Sequence, residues 1–230
     1  MIIFKYAMIR NLRSPLSYLS GLLLPVILIF AMAGTWTYAP IAGLANLVML
    51  MLMSSVMLAS LILEDRIDGS IIKILISPVG MASYIFQNLL AAIIPFVMQI
   101  ALLGILGLFQ YNWTVEFTIG VAVALFACAV TTAAFSFCWN MFFKSKSGSR
   151  YSFLFAMALI LLLSGLIIPV EALPGFMQNV GAIFHPYWFT RAIVVLSNYG
   201  ITRQFWIYNV ILILFGVGFL LIGSRRRKMQ

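Results

Sequence analysis

Residues 43–63 read GLANLVMLMLMSSVMLASLIL, 21 residues without one charged side chain, and the chain then turns to EDRIDGSIIKILISP over 64–78. At a rise of about 1.5 Å per residue the first stretch is as long as a bilayer's hydrocarbon core is thick. Backbone amides in hydrocarbon have no water to bond, so such a run must be a helix. Five further stretches have the same character: Leu16–Trp36, Tyr84–Phe109, Phe117–Phe143, Tyr151–Ile168 and Phe205–Gly223. The composition agrees: of 230 residues 64% are hydrophobic and only 8% charged, too little charge to cover a soluble domain. The expected fold class is all-α, a polytopic membrane protein with six transmembrane helices in a single domain over 1–230. Ser14–Pro15 and Ser77–Pro78 read as helix N-caps followed by proline at the first helical position. Pro25 and Pro95 fall inside spans, where a kink is tolerated.

The net charge of +9 does not point to nucleic acid, because the basic residues sit at the ends of the spans. With the N-terminus in the cytoplasm, 12 of the 14 basic residues lie on the inner side, and only Arg191 and Arg203 lie outside. This positive-inside bias places both termini in the cytoplasm of an inner (plasma) membrane. Trp36 with Tyr38, Tyr111 with Trp113, and Tyr187 with Trp188 are expected to mark the outer face as aromatic belts. Met1–Arg13 leads straight into a span, with no cleavable signal expected.

Much chemistry is excluded by absence. No span carries an ionisable residue near its middle, whereas ion-coupled carriers need one to bind the coupling ion at depth. No GxxxxGK[ST] loop, paired carboxylates or His cluster occurs, so neither catalysis nor a metal site is expected in the chain. His185, beside Pro186, is expected at the outer surface. Cys128 and Cys138 are ten residues apart on one helix, too far for a disulfide. The hydroxyls and amides of Ser54, Ser55, Gln99, Thr131, Thr132, Ser136 and Asn140 read first as helix-packing groups. Met49, Met53 and Met57 form an i, i+4, i+8 stripe, a packing or cargo-facing surface in preference to a soft-metal ladder.

Two segments between spans have more structure than a linker needs. In 64–83, Arg66, Ser70, Lys73 and Ser77 share one helical face while Ile67, Ile71, Ile74 and Leu75 share another, which describes a short amphipathic cytoplasmic helix. Its mixed charges favour a protein partner over an anionic lipid surface. In the long outer connection, Leu173, Phe176, Met177, Val180, Ile183 and Phe184 recur at helical spacing, so 169–190 reads as a re-entrant or interfacial helix. Asp65-Arg66-Ile67-Asp68-Gly69-Ser70 followed by Pro78 resembles the coupling-helix motif of type-2 ABC exporter permeases. Pro169, Leu173-Pro174, Pro186 and Arg191 resemble that family's outer motif after the fifth span.

The resemblance implies that 1–13 is an elbow helix along the inner surface. It implies that Asp65, Arg66, Asp68, Gly69, Ser70, Lys73 and Pro78 couple to a separate ABC ATPase. Two copies of that ATPase would dock beneath two permease chains, expected as a homodimer. ATP and Mg would be bound by the ATPase and no cofactor by this chain, which is therefore not an enzyme. Hydrophobic or amphipathic cargo, such as a drug, a lipid-linked molecule or a peptide, would be moved outward. The alternative is a secondary carrier or channel that works without an ATPase.

Overall fold

The computed structural model describes residues 2–13, 19–70 and 81–226. The described chain is helical, with ten α-helices and no strand among the described residues. They are α1 (Ile2–Arg13), α2 (Leu24–Ala31), α3 (Ala33–Tyr38), α4 (Pro40–Ile67), α5 (Met81–Phe109), α6 (Val115–Met141), α7 (Lys146–Leu163), α8 (Gly175–Gly181), α9 (His185–Tyr199) and α10 (Arg203–Arg226). Five of them, α4, α5, α6, α7 and α10, are long and apolar enough to cross a membrane. They alternate in direction. α6 is the central member, packed against α10, α4, α5 and α9.

The stretch expected as a first span is a series of shorter pieces: a π-helical turn over Leu19–Leu23, then α2, a break at Met32 and α3. Pro25 explains the first irregularity. It has no N–H to give to the carbonyl four residues back. That carbonyl, on Gly21, instead accepts a hydrogen bond from Gln99 Nε2 at 2.5 Å. The break after α2 is served from the same side. Tyr111 Oη donates to Ile29 O at 2.8 Å, and Trp113 Nε1 donates to Trp36 O at 2.9 Å. Pro95, by contrast, sits within an unbroken α5. The N-cap motifs at Ser14–Pro15 and Ser77–Pro78 lie outside the described residues.

Two further expectations are corrected. Trp36, Tyr111 and Trp113 do lie at one end of the bundle, but they are packed on one another instead of forming a belt. Trp36 stacks on Tyr111, and Trp113 meets Trp36 edge-on. Only Tyr38 projects, at 89% exposure. α7 begins and ends earlier than Tyr151–Ile168. Ser145 caps its start by accepting from Gly148 N, and Gly165, at φ +81°, turns the chain away from its end.

The polar residues of the spans hold helices together. Ser55 and Ser136 share a hydrogen bond of 2.5 Å between α4 and α6. Thr131 donates to Leu212 O at 2.7 Å, joining α6 to α10. Asn140 accepts from Ser149 Oγ at 2.7 Å, joining α6 to α7. Helix packing is thus the role these groups fill. Cys128 and Cys138 are both buried and are not joined to each other.

Candidate functional site

Glu64, Asp65 and Arg66 are consecutive near the end of α4, so their side chains leave the helix about 100° apart. Each reaches a different neighbour. Glu64 pairs with Lys146 at the start of α7, 2.6 Å away. Asp65 takes both ends of the Arg10 guanidinium, at 2.5 and 3.1 Å, and accepts from Tyr84 Oη at the start of α5. Arg66 donates to Met141 O at 3.1 Å and to Phe143 O, closing the C-terminus of α6. The cation there satisfies carbonyls that the helix leaves open and complements its dipole. Three residues therefore bind four helices at one end of the bundle.

α1 is held in the same cluster. Its Phe4 N–H, which lacks an intrahelical partner, donates to Gln87 Oε1 on α5 at 3.1 Å. Burial alone would lower the pKa of Arg10. The hydrogen bond and charge of Asp65 overcome that, and the guanidinium is held above its ordinary value.

The residues expected to couple to an ATPase divide at this point. Asp65 and Arg66 are turned inward and engaged within the protomer. α4 ends at Ile67, and the chain turns at Asp68 and at Gly69, whose φ is +70°. Arg66 and Ser70 therefore do not share one uninterrupted helix, and the face drawn through both is broken. Asp68 is exposed, and Gly69 and Ser70 are half-buried. Lys73 and Pro78 lie outside the described residues.

At the other end of α7 the chain folds into a hairpin that penetrates the bundle. Pro169 leads into a short 3-10 turn, Val170–Ala172, and Pro174 precedes α8. The longer arm is α9, with Pro186 at its first turn and Gly200, at φ +72°, closing it. His185 is not at the surface as expected: it is 2% exposed, with Nε2 3.2 Å from Thr132 Oγ1. Thr132 lies roughly 26 Å along α6 from Val115, so the start of α9 is deep in the bundle. The far end of α9 returns to the beginning of α6, where Ile201 N donates to Glu116 Oε1 at 3.0 Å. Tyr187 and Trp188 pack on each other near the deep end, so they too are not a surface belt.

The remaining outer-motif residues serve this hairpin. Leu173 is buried, and its carbonyl accepts from Gln178 Nε2 at 2.8 Å. Arg191 ties the two arms, pairing with Glu171 at 3.0 Å and lying over the ring of Tyr187. A side chain at Gly181 would run into the carbonyl of Leu163, so glycine is needed where the hairpin crosses the end of α7. Met49, Met53 and Met57 run along the half-buried edge of an otherwise largely buried α4.

Sequence reasoning missed Glu64, Lys146, Arg10 and Tyr84 as partners, because each contact joins residues far apart in the chain. It also missed α9 as an element. Pro186 in the first turn and Gly200 at the end were the available signal. No family model matches the chain, and no curated protein matches it. The described chain is thus an all-helical, multi-pass type of membrane protein by its five long apolar helices, with an interlocked charge cluster at one end and a hairpin packed among the helices at the other.

Proposed function

We propose that the chain is the transmembrane permease subunit of an ATP-driven exporter, working as a pair of chains above two copies of a separate ABC ATPase. The observation that carries this reading is the fan of Glu64, Asp65 and Arg66. It links α1, α5, α6 and α7 at the segment immediately before Asp68, Gly69 and Ser70. A force applied to that segment by a partner is delivered to four helices at once, which is what a two-state transporter requires.

The gathering of Lys5, Arg10, Arg13, Arg66, Lys144, Lys146 and Arg150 at this same end supports placing it, with both termini, in the cytoplasm of an inner (plasma) membrane. Leu19–Tyr38, though irregular, adds a sixth crossing to the five long helices, and α1 lies along the inner surface as an elbow. ATP and Mg belong to the ATPase, and the chain itself performs no catalysis. The absence of charge deep in the described spans supports a hydrophobic or amphipathic cargo, with Met49, Met53 and Met57 as part of its path.

Asp68→Arg is the discriminating variant. Asp68 is exposed and has no ion pair among the described residues, so reversing its charge leaves the bundle intact. On this reading the variant elutes and melts like the wild type but loses most of its bound ATPase. Full retention of ATPase by a folded D68R chain would remove Asp68 from the docking surface.

A further inference from the structure

α1 packs on the start of α5 but does not close the whole space beside it. Between it, the end of α4 and the start of α5 is an open cleft of about 450 Å³, lined by Ile3, Tyr6, Ile9, Arg13 and the Arg10–Asp65–Tyr84 cluster. The charges in it do not cancel. Asp65 is already matched by Arg10 and bonded by Tyr84, so its carboxylate is spent. Arg13 is exposed, lines the cleft, and has no acid or hydrogen-bond partner among the described residues. A guanidinium without a partner among the described residues therefore faces a cleft whose other open wall is apolar, with Tyr6 67% and Ile9 36% exposed.

We propose that this cleft seats an anionic glycerophospholipid, its phosphate on the Arg13 guanidinium and the upper part of its acyl chains on Ile3, Tyr6 and Ile9. The fit is one of chemistry on both sides. A guanidinium fork matches a phosphate, while the exposed tyrosine and isoleucine match methylene groups that a free phosphate does not possess. The place fits as well, because α1 carries basic residues and lies at the end of the membrane-crossing helices, where headgroups are. The bound lipid would wedge α1 against the Arg10–Asp65 pair. The inference goes beyond the permease reading and holds or fails independently of it, since it needs only a membrane.

The test uses the full-length chain in phosphatidylcholine bilayers containing spin-labelled phosphatidylglycerol or spin-labelled phosphatidylcholine, with the motionally restricted fraction of each label measured. The wild type should favour the anionic label, and Arg13→Gln should reduce that preference about fivefold, the ~1 kcal/mol typical of one basic side chain at an anionic surface. Arg13→Lys should retain most of it. Lys5→Gln, which removes a charge from the same helix outside the cleft, should leave it unchanged. Equal losses in K5Q and R13Q would show diffuse attraction to the surface and overturn the site. No preference in the wild type would also overturn it, as would displacement of the anionic label by millimolar inorganic phosphate, which would assign the cleft to a soluble ion.

Discussion

Arg66 Nη1 donates to the carbonyl oxygen of Met141 at 3.1 Å, so the penultimate residue of α4 closes the C-terminus of α6. The two helices already share the Ser55–Ser136 hydrogen bond and the contact of Asn140 Nδ2 with Val56 O. α4 and α6 are thus fastened at their middle and at one end, and they are expected to move together.

Replacing Arg66 by methionine removes the cap but keeps the bulk. The expected cost is about 1–2 kcal/mol, the range for a cation at a partly buried helix C-terminus. Thermal melting of the detergent-solubilised chain measures it. Arg66→Lys should recover only part, because one ammonium does not reproduce the two-pronged contact with Met141 O and Phe143 O. An R66M chain with unchanged stability would mean that the contact is incidental.

The Arg10–Asp65 pair is bidentate, which favours a measurable coupling even though Arg10 is partly open to solvent. Asp65→Asn should destabilise the attachment of α1, and the exchanged pair R10D/D65R should recover part of the loss. Limited proteolysis within α1 reads the attachment directly. Equal resistance in wild type and D65N would show that α1 is held by apolar packing alone.

Between α4 and α6, Ser55→Ala and Ser136→Ala should each cost about 0.5–1 kcal/mol. The double variant should cost less than the sum of the two, because either substitution alone already breaks the bond. A double-mutant cycle on the urea or thermal midpoint decides this. Strict additivity would mean that the two hydroxyls do not interact.

The depth of the hairpin is tested by labelling. In a chain whose Cys128 and Cys138 are replaced by alanine, H185C should resist membrane-impermeant maleimide from either side. Y38C should label readily. Ready labelling of H185C would return that position to the surface.

Four of the spans were legible in the sequence because their physics is local. The runs at 43–63, 84–109, 117–143 and 205–223 are apolar over a full bilayer thickness, and each lies inside or nearly coincides with one long helix. The stretch expected as a first span was harder. Its breaks at Pro25 and Met32 are tolerated only because Gln99, Tyr111 and Trp113 supply hydrogen bonds from elsewhere in the fold. Residues 169–204 were legible only in part, for a related reason. Apolar spacing drew attention to 173–184, of which only Gly175–Gly181 forms the short α8, with Phe176 and Val180 on it and Ile183 just beyond it exposed. The buried arm begins at His185, whose polarity argued for the surface until Thr132 supplied its partner. In the candidate site, Asp65 and Arg66 were picked out by pattern. Their inward engagement rests on Arg10, Tyr84 and Met141, none of which is near them in sequence.

The most direct measurement of the central claim is purification of the chain from its native host in mild detergent, with subunit masses and ATP turnover recorded on the intact complex. A permease of this kind is expected to emerge as a pair of these chains with two copies of a soluble ATPase and vanadate-sensitive hydrolysis. A chain that purifies without any ATPase and conducts or exchanges solutes in vesicles would contradict it and make the protein a carrier or channel.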